Sequence, residues 1–61
     1  MDANWMTPPE TAELVRRPTS TLAYWRYRNE GPPYAKIGRR VVYRRSDVVA
    51  WMDAQFSQAA G

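Results

Sequence analysis

With 61 residues the chain has room for one small domain, expected to span 1–61 with its core in 6–52. It holds no Cys and no His, which excludes disulfides, Cys/His zinc sites, thiol chemistry and imidazole catalysis, so no cofactor is expected. Nine bases against six acids give a net charge of only +3, but the charge is segregated. Every base lies in residues 16–45 (Arg16, Arg17, Arg26, Arg28, Lys36, Arg39, Arg40, Arg44 and Arg45), where Glu30 is the sole acid. Asp2, Glu10 and Glu13 precede this segment, and Asp47 and Asp53 follow it. A basic segment between acidic ends is the footprint of a polyanion binder. The competing expectation is a solvated basic surface. Solubility alone does not call for arginine, however, and all these bases but Lys36 are Arg, whose planar fork suits phosphates and base edges. The longest apolar run, Val48–Met52, is too short to cross a membrane. A cysteine-free chain without a signal peptide is expected in the cytoplasm.

Residues 1–5 read as a frayed lead-in, with Trp5 and Met6 as possible core anchors. At Thr7-Pro8-Pro9-Glu10, Thr7 can cap a helix, Pro8 suits its first position, and Glu10 sits where a capping box needs it. This predicts a helix from Pro8 to Val15. Arg16-Arg17-Pro18-Thr19 follows. Pro18 cannot continue the first helix but can open another, so a tight turn leads to a second helix ending near Arg28. Gly31 is placed to supply a left-handed cap, and Pro32-Pro33 bars continuation.

Tyr34–Ile37 and Val41–Arg44 are β-prone runs, joined by a three-residue loop, Gly38-Arg39-Arg40. With that loop, Ile37, Val41 and Tyr43 share an inner face. Ser46 is placed to cap a last helix with an apolar stripe of Val48, Trp51 and Met52, and residues 57–61 are expected to fray. The core should draw on Trp5, Trp25, Trp51, Tyr43, Leu14, Leu22, Ile37 and Met52. The order helix, turn, helix, hairpin, helix predicts an α+β fold, a winged helix-turn-helix in miniature.

On an ideal helix of about 100° per residue, Leu22, Trp25, Pro18 and Asn29 cluster on one side of the second helix. Ser20, Ala23, Tyr24 and Tyr27 gather opposite, with Thr19 and Arg26 on one flank and Thr21 and Arg28 on the other. Small polar groups, phenols and lateral guanidiniums make a groove-facing surface rather than a core face. Hydroxyls can bond phosphates or bases, Ala can meet a thymine methyl, and flanking Arg can grip phosphates. For Tyr24 and Tyr27 the alternative is packing against the hairpin. Arg26 lies near enough to the buried side to lay its stem along Trp25. At the hairpin tip, Arg39 is placed to enter a narrow minor groove, with Arg40 a second candidate. The alternative there is protection of an edge strand.

Three segments together resemble excisionase-type DNA-binding domains, related to the MerR-type winged helix. Met6-Thr7-Pro8-Pro9-Glu10-Thr11-Ala12-Glu13-Leu14 is similar to their opening L-T-P-x-E-A-A-E-L. Ser20-Thr21-Leu22-Ala23-Tyr24-Trp25 is similar to the S-T-L-x-x-W of their recognition helix. Residues 36–51, from Lys36-Ile37-Gly38-Arg39 to Ser46-Asp47-Val48-Val49-Ala50-Trp51, are similar to their wing and last helix. The resemblance implies Ser20, Ala23, Tyr24 and Tyr27 in a major groove and Arg39 in the minor groove. Two residues depart from the pattern. Tyr24 stands where a base is common, and Arg17 stands where a hydrophobic residue is usual, adding a phosphate contact at the turn. The expected interface on double-stranded DNA is Arg16, Arg17, Thr19, Ser20, Ala23, Tyr24, Tyr27, Arg28, Arg39 and Arg40, with phosphate grip and DNA shape supplying much of the affinity.

The resemblance implies a non-enzymatic recombination directionality factor, bacterial or phage-encoded. It would bind and bend attachment-site DNA, partner an integrase and self-associate cooperatively on DNA. A small MerR-like transcriptional regulator is the alternative, and a protein-binding adaptor a remoter one. No coiled-coil helix follows residue 57, which argues against a MerR-type dimer carrying an effector domain.

Overall fold

A computed structural model of the protein describes the backbone of residues 4–60 and the side chains of 4–58. The chain runs β1 (Trp5–Met6), α1 (Pro8–Val15), α2 (Thr19–Tyr27), β2 (Tyr34–Ile37), β3 (Arg40–Arg44) and α3 (Arg45–Ala60). It is an α+β winged helix-turn-helix, with the β2–β3 hairpin as the wing.

The expected capping box opens α1. Glu10 N–H donates to Thr7 Oγ1 at 3.3 Å, and Thr7 N–H donates to Glu10 Oε1 at 2.8 Å. The helix ends on Arg16, held in the left-handed region at φ 60°, and the N–H groups of Arg16 and Arg17 both reach the Ala12 carbonyl. Pro18 (φ −66°, ψ 157°) then starts α2 without a side-chain cap. Three residues thus separate the two helices.

The end of α2 corrects two expectations. Asn29 (φ 56°), not Gly31, takes the left-handed position. The N–H of Glu30 reaches Trp25 O at 2.7 Å and that of Asn29 reaches Arg26 O at 3.2 Å, closing a Schellman motif. Asn29 therefore lies beyond the helix, exposed, rather than on its buried side. Gly31 serves a different need: at φ 81°, a Cβ there would stand 2.8 Å from Trp25 Cε3, so only glycine lets the chain close over the indole.

The hairpin loop is two residues, Gly38-Arg39, not three. Ile37 pairs with Arg40, Lys36 with Val41 and Tyr34 with Tyr43. Gly38, at φ 65°, takes the first turn position, where a II′ turn favours glycine. One residue fewer in the loop flips strand parity. Ile37 therefore leaves the core face and is 48% exposed, while Val41 and Tyr43 stay inward.

The lead-in is also corrected at its end. Trp5 and Met6 form an edge strand antiparallel to β3, giving the order β1-β3-β2. Met6 is buried beside Tyr43, whereas Trp5, expected in the core, is half-exposed on the opposite face, paired with Arg44. Asn4 ties this end to α3, which begins at Arg45 rather than after a Ser46 cap. Arg45 N–H donates to Asn4 O at 2.6 Å, and Ser46 N–H donates to Asn4 Oδ1 at 3.1 Å. The helix N-terminus is thus capped from the far end of the chain. It continues to Ala60, through most of the segment expected to fray; residues 1–3 and Gly61 lie outside the described residues.

The core is Met6, Leu22, Tyr43 and Val48, with Leu14, Val15, Trp25, Val41 and Met52 packed around it. Thr11 is fully buried among them, its hydroxyl satisfied by donating to Thr7 O at 3.0 Å. Trp25 rests on Trp51, ring centroids 5.3 Å apart. These contacts lock α2 against α3 and the hairpin, and so determine which side of α2 is left to solvent.

Candidate nucleic-acid interface

Leu22 is fully buried, so α2 faces inward along that line. The opposite line is open: Thr19, Ser20 and Ala23 are exposed, Tyr24 is 54% exposed and Tyr27 84%. Tyr27 is too open to pack against the hairpin, and Tyr24 stays more than half exposed. Nothing in the fold accounts for an aromatic ring as open as Tyr27, and a large exposed aromatic on a rigid helix is a feature of recognition surfaces.

Arg26 and Arg28 diverge. Arg26 turns inward, toward the hairpin. Its Nη1 donates to Tyr43 Oη at 2.7 Å, and its guanidinium lies 5.8 Å from the Tyr34 ring centroid. This bond joins α2 to the wing and removes Arg26 from any groove. Arg28 stays exposed. Its Nη1 donates to Tyr24 Oη at 3.2 Å, its guanidinium lies 5.8 Å from the Tyr24 ring, and its Nη2 stands 3.8 Å from Glu30 Oε1.

The turn exposes Arg16 and Arg17 beside Thr19, at the N-terminal end of α2. A left-handed conformation is unfavourable for a residue with a Cβ, so a charged side chain sits where glycine would cost less. At the other end of the candidate interface, the two-residue turn carries Arg39 to the wing tip. The register separates its neighbours. Lys36 shares the sheet face of Tyr34 and Tyr43, which meets α2, whereas Arg40 shares the outer face with Ile37 and Val42. Arg44, also on that outer face, is engaged by Asp47 at 3.9 Å.

The predicted residues therefore fall into three exposed groups: Arg16, Arg17 and Thr19 at the turn; Ser20, Ala23, Tyr24 and Tyr27 along α2 with Arg28 at its C-cap; Arg39 and Arg40 on the wing. Two residues near them were not among the predicted contacts, Lys36 and Glu30. The signal for Glu30 was present, since it is the only acid in the basic segment and lies two residues from Arg28.

A family model described as a helix-turn-helix domain matches residues 5–55. The chain belongs to that family. It is a family of DNA-binding helix-turn-helix domains that includes excisionase-like proteins, and its members are typically not enzymes. Double-stranded DNA is thus the partner of this helix-turn-helix. No curated protein matches the chain. No helix among the described residues is long and apolar enough to cross a membrane.

Proposed function

We propose that the protein is an excisionase, a recombination directionality factor that binds and bends attachment-site DNA and biases an integrase toward excision. The observation that carries this reading is the open face of α2, joined to a wing through the Arg26–Tyr43 bond. Two DNA-contacting elements are thereby held in one rigid relation, and a protein that engages two grooves at once can trap a bent duplex.

In this reading Ser20, Ala23, Tyr24 and Tyr27 face the major groove and Arg39 enters the minor groove. Arg16, Arg17, Thr19 and Arg28 hold phosphates, as does Arg40 from the outer side of the wing. The helix offers no arginine aimed straight at a base edge, so sequence preference is modest and DNA shape carries much of it. So small an interface binds weakly as a single copy, and neighbouring copies on adjacent sites supply the missing affinity. The resemblance to excisionase-type domains over roughly residues 6–52 adds the directional role, with an integrase as partner in the cytoplasm of a bacterial host.

The test pairs a bending measurement with a recombination assay. Fluorescence energy transfer across a labelled attachment-site duplex should report bending on addition of the protein, and integrase-driven excision should rise with it. Binding and bending without any effect on excision would leave the transcriptional-regulator reading in its place.

A further inference from the structure

The single acid within the basic segment sits against Arg28, the exposed arginine that ends α2 as its C-cap. Its place is set by the backbone. Asn29 in the left-handed region and the Glu30 N–H bonded to Trp25 O at 2.7 Å bring the Glu30 side chain back toward the helix. Its carboxylate then stands 3.8 Å from Arg28 Nη2, both side chains half exposed. The other nitrogen of the same guanidinium holds the Tyr24 phenol at 3.2 Å.

We propose that Glu30 is an internal stand-in for a DNA phosphate. In the free protein it occupies the Arg28 guanidinium, and on binding a phosphate oxygen takes its place. Glu30 thereby limits the affinity of α2, while Arg28 positions Tyr24. This rests on the DNA-binding reading of α2 given above.

Three points of chemistry carry it. A carboxylate and a phosphate present the same kind of acceptor to the planar guanidinium, so one can replace the other without moving Arg28. At 3.8 Å the pair is longer than a charge-assisted hydrogen bond and is open to water, so it is easily exchanged and adds little to stability. The exchange also leaves the Tyr24 contact intact, because that contact uses the other nitrogen. The phenol oxygen accepts from Arg28, so its own hydrogen remains to be donated outward, to a phosphate oxygen or a purine N7.

The test is a double-mutant cycle on the full chain: wild type, Glu30→Gln, Arg28→Gln and the double variant. Each is titrated with one duplex by fluorescence anisotropy at about 50 mM and about 200 mM salt. Glu30→Gln should tighten binding by about two- to fivefold at low salt, with a smaller gain at higher salt as the ion pair is screened. In the Arg28→Gln background the same substitution should gain almost nothing. No gain from Glu30→Gln overturns the proposal. So does an equal gain in both backgrounds, which would make Glu30 a diffuse repulsive charge rather than an occupant of Arg28. In either case the DNA-binding reading stands, provided that wild type binds. If wild type binds no duplex at either salt concentration, that reading fails and takes this proposal with it.

Discussion

The two sides of α2 use the same materials, aromatic rings and arginine, for opposite ends. On the inner side, Trp25 lies on Trp51, and Arg26 donates to the hydroxyl of the buried Tyr43 at 2.7 Å. On the outer side, Tyr24 and Tyr27 stand open and Arg28 holds only surface partners. The inner arginine's hydrogen bond is short, part-buried and reaches an element 17 residues away. The outer arginine's contacts are local and exposed. Residue type therefore does not assign a role on this helix. What assigns it is whether the partner is buried, because a buried hydrogen bond to a charge is costly to lose, whereas an exposed one exchanges readily with water or phosphate.

That contrast can be broken most forcefully at its centre. Leu22→Ala should cost about 2–5 kcal/mol of stability in urea unfolding, while Tyr27→Ala should stay within about 0.5 kcal/mol; the reverse ordering would mean that α2 faces the other way. Tyr43→Phe strips the buried acceptor from Arg26 and should cost about 1.5–3 kcal/mol; by loosening the wing on α2 it should also weaken duplex bending, with the salt slope unchanged. Arg28→Gln should do the converse, sparing stability and lowering the slope of log affinity on log salt by about one. A Tyr43→Phe variant of native stability would show that the Arg26 bond is ornamental. The smallest effect is expected at the turn. Arg16→Gly relieves a left-handed residue of its Cβ and should stabilise the fold by up to about 1 kcal/mol while weakening DNA binding. A gain in stability without loss of affinity would free Arg16 from the interface.

Much of this arrangement is legible in the sequence, and the parts that are not share a cause. Helix α1 is readable at both ends because Thr7, Pro8, Glu10 and Pro18 act within a few residues of where they stand. The exposed line of α2 follows from helical spacing around Leu22. The strand Trp5–Met6 and the Asn4 cap on Ser46 are long-range: their partners lie about 40 residues on, and two residues of strand carry no local periodicity. The hairpin fails differently. Gly38 suits a loop of two residues or three, and the apolar Ile37 favours the longer loop, which would turn it inward. The pairing of Tyr34 with Tyr43 decides for the shorter. The Tyr34 ring beneath Arg26 follows from that same register, whereas Tyr43 faces inward with either loop.

In the proposed function the open face of α2, with its flanking arginines and the Arg39 wing, grips double-stranded DNA through phosphate contacts. A titration of duplex DNA with the wild-type chain across a range of salt concentrations tests it most directly. Log affinity should fall linearly with log salt, with a slope of about −3 to −5, one counterion released for each phosphate held. Affinity indifferent to salt would contradict it.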